Sequence, residues 1–150
     1  PAVKAMIESS RADYAEIFVV YADCGTGGQL QRLCDCMGVS MIAGPHCYSF
    51  FEGNLEFEAR DELNCFYLTD FLVRQFDAFF WRTMGLDRHP ELLKMYFGNY
   101  TTLVYQAQIQ DLAMETKAQD CARRMGLAYE YRFTGYGDLA VALASLANKT

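Results

Sequence analysis

The 150-residue chain contains no apolar run near the roughly 18–20 residues that a membrane-spanning helix needs, which excludes a span of that kind. It has no basic stripe either. Thirteen Lys and Arg stand against 19 Asp and Glu, for a net charge of −6, and the densest basic cluster is only Arg123-Arg124. Nucleic-acid binders carry such a stripe, so nucleic acid is not an expected partner. No internal repeat, low-complexity stretch or C-x-x-C pair occurs. The dinucleotide fingerprint G-x-G-x-x-G, the P-loop and the G-x-S-x-G serine elbow are missing. No basic, apolar leader opens the chain, and position 1 is Pro1 rather than methionine. An upstream segment, with any targeting signal it carries, is therefore expected to be absent from this numbering.

What is present is apolar and aromatic. Hydrophobic residues make up 52% and aromatics 15%, too much for a disordered chain. The length suits a single domain, residues 1–150, with a real core. Six cysteines, Cys24, Cys34, Cys36, Cys47, Cys65 and Cys121, allow three disulfides by count. A chain this long does without staples, and several of them fall inside apparent helices or strands. Reduced thiols in a cytoplasmic protein are the expectation. Cys34 and Cys36 diverge if their segment is helical, which makes them a poor chelator.

Short apolar runs alternate with amphipathic ones. Strands are expected over 16–21, 39–43, 65–68, 101–106 and 129–133. Helices are expected over 1–11, 29–37, 109–125 and 139–148, and a longer one from Thr69 or Asp70 to about Met84, closed by Gly85. Residues 50–62 are left open, with helix as one choice. Pro90 fits the first position of a short helix. The repeated strand–turn–helix unit predicts a three-layer, Rossmann-like α/β domain with a mostly parallel sheet.

In such a sheet, sites gather where strands end. Asp23-Cys24, His46-Cys47, Asp70, Gln106 with Gln108, and Tyr136 all follow expected strands, so a parallel sheet brings them to one rim. Gly25, Thr26, Gly27 and Gly28 lie between a strand and a helix. Such a loop can cradle an anion, or it is a tight turn that needs positive φ. Cys24, His46 and Cys47 offer three N and S donors, a set that suits zinc; otherwise Cys47 packs as a small hydrophobe and His46 bonds the backbone. Asp70 is either a helix cap or a carboxylate ligand or base. His89 either starts a helix or takes part in catalysis. The aromatic stretch 76–81 reads as core, with a subunit interface as the other reading.

The stretches VYADCGTGG, GPHCYSFFEG, FYLTDFLVRQFD, GLDRHPEL, YFGNYTTLVYQAQ and GLAYEYRFTGYGDL resemble a prokaryotic family catalogued as domain of unknown function 1638. The resemblance runs from about Pro1 to about Leu139 and implies that the chain is the larger, C-terminal part of a longer family domain whose N-terminal segment carries its own Cys-Gly motif. It also implies an association with corrinoid-dependent methyl transfer in methylamine and other one-carbon metabolism. On that basis the chain is expected to bind zinc or iron through Cys24, His46 and Cys47, with Asp70 and His89 assisting and a small or methylated molecule as substrate. The alternative is a non-catalytic accessory protein that docks on a methyltransferase or corrinoid protein through the aromatic helix. A homo-oligomer fits either reading. The Asp-x-His-x-x-Gly motif for binding a corrinoid directly is absent, so a corrinoid would come on a partner protein.

Overall fold

Strands form where short apolar, β-branched or aromatic runs stand, and helices where the apolar residues recur with helical spacing. The structure, a computed structural model, describes residues 2–22, 24–44 and 46–147. The expectations that fell on Pro1, Asp23, Pro45 and Asn148 lie outside the described residues. The strands are β1 (Phe18–Val19), β2 (Ser40–Met41), β3 (Cys65–Thr69), β4 (Thr102–Ala107) and β5 (Ala128–Phe133). The helices are α1 (Ala2–Ser10), α2 (Gln29–Met37), α3 (Cys47–Glu52), α4 (Asn54–Arg60), α5 (Asp70–Arg74), α6 (Leu92–Phe97), α7 (Leu112–Met125) and α8 (Gly137–Ala147). A π-helical turn covers Asp77–Trp81.

The class is α/β and every strand pair is parallel. β1 pairs with β2, placing Phe18 opposite Ser40, and β3, β4 and β5 pair in that order. The expected single sheet is thus present as two sheets among the described residues. The first strand is also shorter than its apolar run: only Phe18 and Val19 pair, while Val20 and Tyr21 are 45% and 56% exposed.

The core sits around β4, where Leu103, Val104, Tyr105 and Ala107 are fully buried. Ala118, Cys121, Ala122 and Met125 of α7 join Leu68, Val73, Phe76, Leu86 and Phe97 in one cluster with it. A smaller cluster of Ala22, Ile42, Phe50 and Leu139 lies under α3 and α8. The sequence placed α2 at its observed limits, closed by Gly38. It read 69–84 as one helix; the structure breaks this into α5 and the π-helical turn. There Arg124 covers Trp81 at 4.3 Å from the ring centre and pairs with Asp77 at 2.6 Å. Residues 50–62, left open above, are occupied by the end of α3 and by α4, which meet at Gly53. α7 starts at Leu112 rather than 109, because the Asp111 carboxylate accepts from the amides of Ala113 and Met114 at 2.9 and 3.2 Å.

An ion cluster ties α3 and α4 to the sheet. Arg132 on β5 reaches Glu52 at 3.2 Å, Glu62 at 2.8 Å and Glu130 at 2.6 Å. Arg60 also pairs with Glu52, whose other oxygen accepts from Gln106 at 2.8 Å.

Candidate functional site

Cys24 and His46 lie 22 residues apart in sequence, in the connections that follow β1 and β2. Because those strands are parallel, the two connections leave on the same side, and Cys24 Sγ lies 2.8 Å from His46 Nδ1. The imidazole stacks on Tyr48 at 4.7 Å, and Tyr48 in turn stacks on Tyr67 of β3 at 5.2 Å. The backbone of His46 is tied as well: its carbonyl accepts from the Ser49 hydroxyl at 2.7 Å and from the Ser49 amide at 3.1 Å. The ring is thus held on one face and at Nδ1, and its backbone is fixed as well.

Burial lowers the pKa of His46 below its ordinary value, so the ring is neutral near pH 7 and keeps a lone pair for a proton or a metal. Cys47 is pushed the other way, first by burial and then by the charge of Cys24. Tyr48 is pushed up to about 12, by burial and then by the charges of Cys24 and Cys47. Cys24, His46 and Cys47 therefore occupy one electrostatic neighbourhood. Among the described residues, no three His, Cys, Asp or Glu side chains already stand in a metal-holding arrangement.

Residues 25–28 form the turn between β1 and α2. Gly25, Gly27 and Gly28 adopt φ values of 72°, 59° and 79°, the left-handed region that favours glycine. The turn uses its own amides. Gln29 N–H donates to the Thr26 carbonyl at 3.2 Å, and Leu30 N–H to Thr26 Oγ1 at 3.5 Å. Two of the donors an anion would use are already engaged there.

Asp70 starts α5 and is 6% exposed. Its carboxylate accepts from the Tyr105 hydroxyl at 2.7 Å and from the amides of Gln108 and Ile109, both at 3.2 Å. It holds the connection after β4 against the end of β3, while Thr69 caps α5 through Leu72 N–H at 3.4 Å. His89 is exposed and pairs with Glu91 at 3.2 Å and with none of the rim residues. Tyr136 is 51% exposed and meets the edge of Phe51. The rim is thus two groups: Cys24 with His46 and Cys47, and Asp70 with Tyr105 and Gln108.

Beneath the first group lies an apolar cavity of about 580 Å³ between β1 and β3. Cys24, Cys47 and Cys65 are on its wall, with Tyr48, Phe66 and Tyr67 among the aromatics. Sequence reasoning missed Tyr48 and Tyr67 and placed Cys65 only as the start of a strand. The signals were there, since Tyr48 adjoins His46-Cys47, and Cys65 and Tyr67 share a strand with alternating side chains. Cys34 and Cys121 are buried, Cys36 is exposed, and all six cysteines are outside any disulfide.

Among the described residues, no helix is long and apolar enough to cross a membrane. No curated protein and no solved structure matches the chain. Residues 1–143 match the model of the family described as a protein of unknown function, DUF1638, and the chain belongs to that family.

Proposed function

We propose that this chain is a metal–thiolate protein in which Cys24, His46 and Cys47 hold one zinc or iron ion at the strand-end rim. The contact between Cys24 Sγ and His46 Nδ1 supports this most directly, because it joins a thiol and a neutral imidazole from two separate strand ends. A divalent ion held there would take the place of the thiol proton, which would leave to solvent. Cys47, on the same cavity wall as Cys24, would supply the second thiolate, its proton leaving to solvent. Three protein donors would leave a fourth position for water or substrate, as reactive rather than structural zinc centres do.

The bound ion supplies Lewis acidity and a stabilised thiolate, and the family resemblance directs that chemistry toward methyl transfer. The substrate is a small methylated molecule, or a methylated corrinoid carried on a partner. Asp70 acts as a positioning residue that fixes the neighbouring connection, and His89 is the weaker candidate for acid–base help. An anion of the substrate would approach the turn of Gly25, Thr26, Gly27 and Gly28. Six reduced thiols fit a cytoplasmic setting.

A second reading is a non-catalytic accessory protein that docks through aromatic side chains. Phe71 and Phe79, exposed by 55% and 52% and packed edge to face at 5.5 Å, favour it. Elemental analysis of anaerobically purified, untagged protein separates the two. The first reading expects about one zinc or iron per chain, lost in Cys24→Ser and Cys47→Ser, and thiolate-to-cobalt charge-transfer bands after cobalt substitution. Metal-free protein without such bands at saturating cobalt sinks it, and co-purification with a methyltransferase would then favour docking.

A further inference from the structure

Three thiols stand on one cavity wall, Cys24, Cys47 and Cys65, and two of them respond to each other. Cys24 is exposed, whereas Cys47 and Cys65 are half-buried. Burial raises the pKa of the Cys47 thiol, and the charge of Cys24 raises it further. The Cys65 thiol is raised by burial and then by the charge of Glu62, and its sulfur lies 3.9 Å from the Asn64 side-chain oxygen. The sulfurs that sense each other are thus Cys24 and Cys47. The remaining cysteines are elsewhere: Cys34 and Cys121 are buried, and Cys36 is exposed on α2.

We propose that Cys24 and Cys47 form a peroxide-reactive pair, in which Cys24 takes an oxygen from a hydroperoxide and Cys47 closes the product to a Cys24–Cys47 disulfide. The geometry carries this in two ways. Cys24 Sγ lies 2.8 Å from His46 Nδ1, so a base stands within reach of the thiol proton on the more exposed sulfur. The second sulfur belongs to the residue that follows this base in the chain, and it stands on the same cavity wall. Cys24 lies in the connection between β1 and α2, before a turn in which Gly25, Gly27 and Gly28 have positive φ. Cys47 is the first residue of α3. The glycine-rich connection, rather than the helix, therefore makes the approach that a sulfur–sulfur bond of about 2.05 Å requires.

Electrons and atoms balance over two steps. The Cys24 sulfur attacks the terminal oxygen of the hydroperoxide, and the S–O bond forms as the O–O bond breaks. The thiol proton passes to His46 Nδ1 and on to the departing oxygen, which leaves as water or an alcohol. The sulfur has lost two electrons, the peroxide has gained them, and Cys24 is a sulfenic acid. The Cys47 sulfur then attacks the Cys24 sulfur, the S–O bond breaks, and the hydroxyl leaves with the Cys47 proton as water. A small thiol returns the pair to the reduced form by exchange. This chemistry uses two sulfurs of the metal reading but does not rest on it. A bound ion would occupy both sulfurs, so the metal-free chain is the reactive form.

The test uses the full chain, reduced, treated with EDTA and separated from the reductant. Hydrogen peroxide is added in small excess, samples are alkylated at intervals, and the peptides are mapped by mass spectrometry without reduction. Cys36 is the exposed reference thiol within the same molecule. Cys24 is expected to oxidise faster than Cys36 by about tenfold or more, and a Cys24–Cys47 peptide pair, lighter by the two thiol hydrogens, is expected to accumulate. Cys47→Ser is expected to stop at a Cys24 sulfenic acid that dimedone captures. His46→Gln is expected to bring the rate at Cys24 down toward that at Cys36. The map of the parent chain needs no variant, so it decides the matter even where a variant does not fold. Cys24 reacting no faster than Cys36 overturns the proposal, and so does a disulfide from Cys24 to Cys65 in place of Cys47. Metal content is measured separately on untreated protein, so failure of this pair is distinct from failure of the metal centre.

Discussion

Two side chains show how much a single residue decides at the rim. Asp70 has three donors on its carboxylate and almost no contact with water. Asp70→Ala orphans the Tyr105 hydroxyl and two amides, at a cost of roughly 2–3 kcal/mol. Urea unfolding is expected to show that loss, with faster exchange at Gln108 and Ile109; an unchanged midpoint would mean the network is not held in solution. His46 makes a pH prediction. Its folded pKa lies below the ordinary 6.5, so the unfolded chain takes up the proton more readily. Its stabilising effect is whole above about pH 6.5 and declines as pH falls toward the folded value. The ring is only partly buried, so the change is small. Melting temperatures between pH 7.5 and 5.5 are expected to fall more for the parent chain than for His46→Gln. Glu62 and Asp77, held below their ordinary values by Arg132 and Arg124, titrate at lower pH and do not enter that window.

At the scale of elements, close approach and paired charge fix α3 against its neighbours. Gly137 opens α8 with φ of 44°, and a Cβ there would stand 2.2 Å from the Phe51 carbonyl and 2.6 Å from that of Phe50. Gly137→Ala must push α8 away from α3, and a loss of about 2 kcal/mol or more is expected in chemical denaturation. Parent-like stability would mean that the two helices do not meet this closely. Arg132 is the other tie. Burial works against its charge, but the hydrogen bonds it donates to Glu62 and Glu130 and the field of Glu52 outweigh it and raise its pKa. Arg132→Met leaves Glu52, 4% exposed at its side chain, with Arg60 as its remaining cation. A loss of about 3 kcal/mol is expected, partly restored by adding Glu52→Gln. The pair Arg132–Glu62 contributes fully at and above pH 4.5, and its contribution fades as pH falls below that. None of this was legible in sequence, because Glu52, Glu62 and Arg132 meet only through the packing of α3 on the sheet. Helix limits were legible where a local signal sets them. Gly38 and Gly126 close α2 and α7, whereas the π-helical turn after α5 meets Arg124, 47 residues from Asp77 in the chain, and left no local mark.

For the whole molecule, the sequence carried the alternation of elements and their parallel sense but not the division into two sheets. Periodicity reports which residues are buried, not which strand is the neighbour. The rim residues Cys24 and His46 were legible as a pair because both follow apolar runs, and parallel pairing of β1 with β2 converts that into contact. Asp70 was legible as a strand-end group, but its engagement by Tyr105 needed the register that sets Leu68 opposite Tyr105. The division also predicts where the molecule opens first. β4 has ladders on both sides and residues of 0% exposure, while β1 and β2 share two paired positions. Amides of Leu103, Val104 and Tyr105 are expected to exchange only through global unfolding. Those of β1 and β2 should exchange by local opening, faster by about two orders of magnitude or more. Denaturant would then accelerate the β4 amides steeply and the β1 and β2 amides weakly, because local opening exposes little surface. A common denaturant slope for both sheets would show that they unfold as one unit, and the rim thiols would then sit on a support as firm as the core.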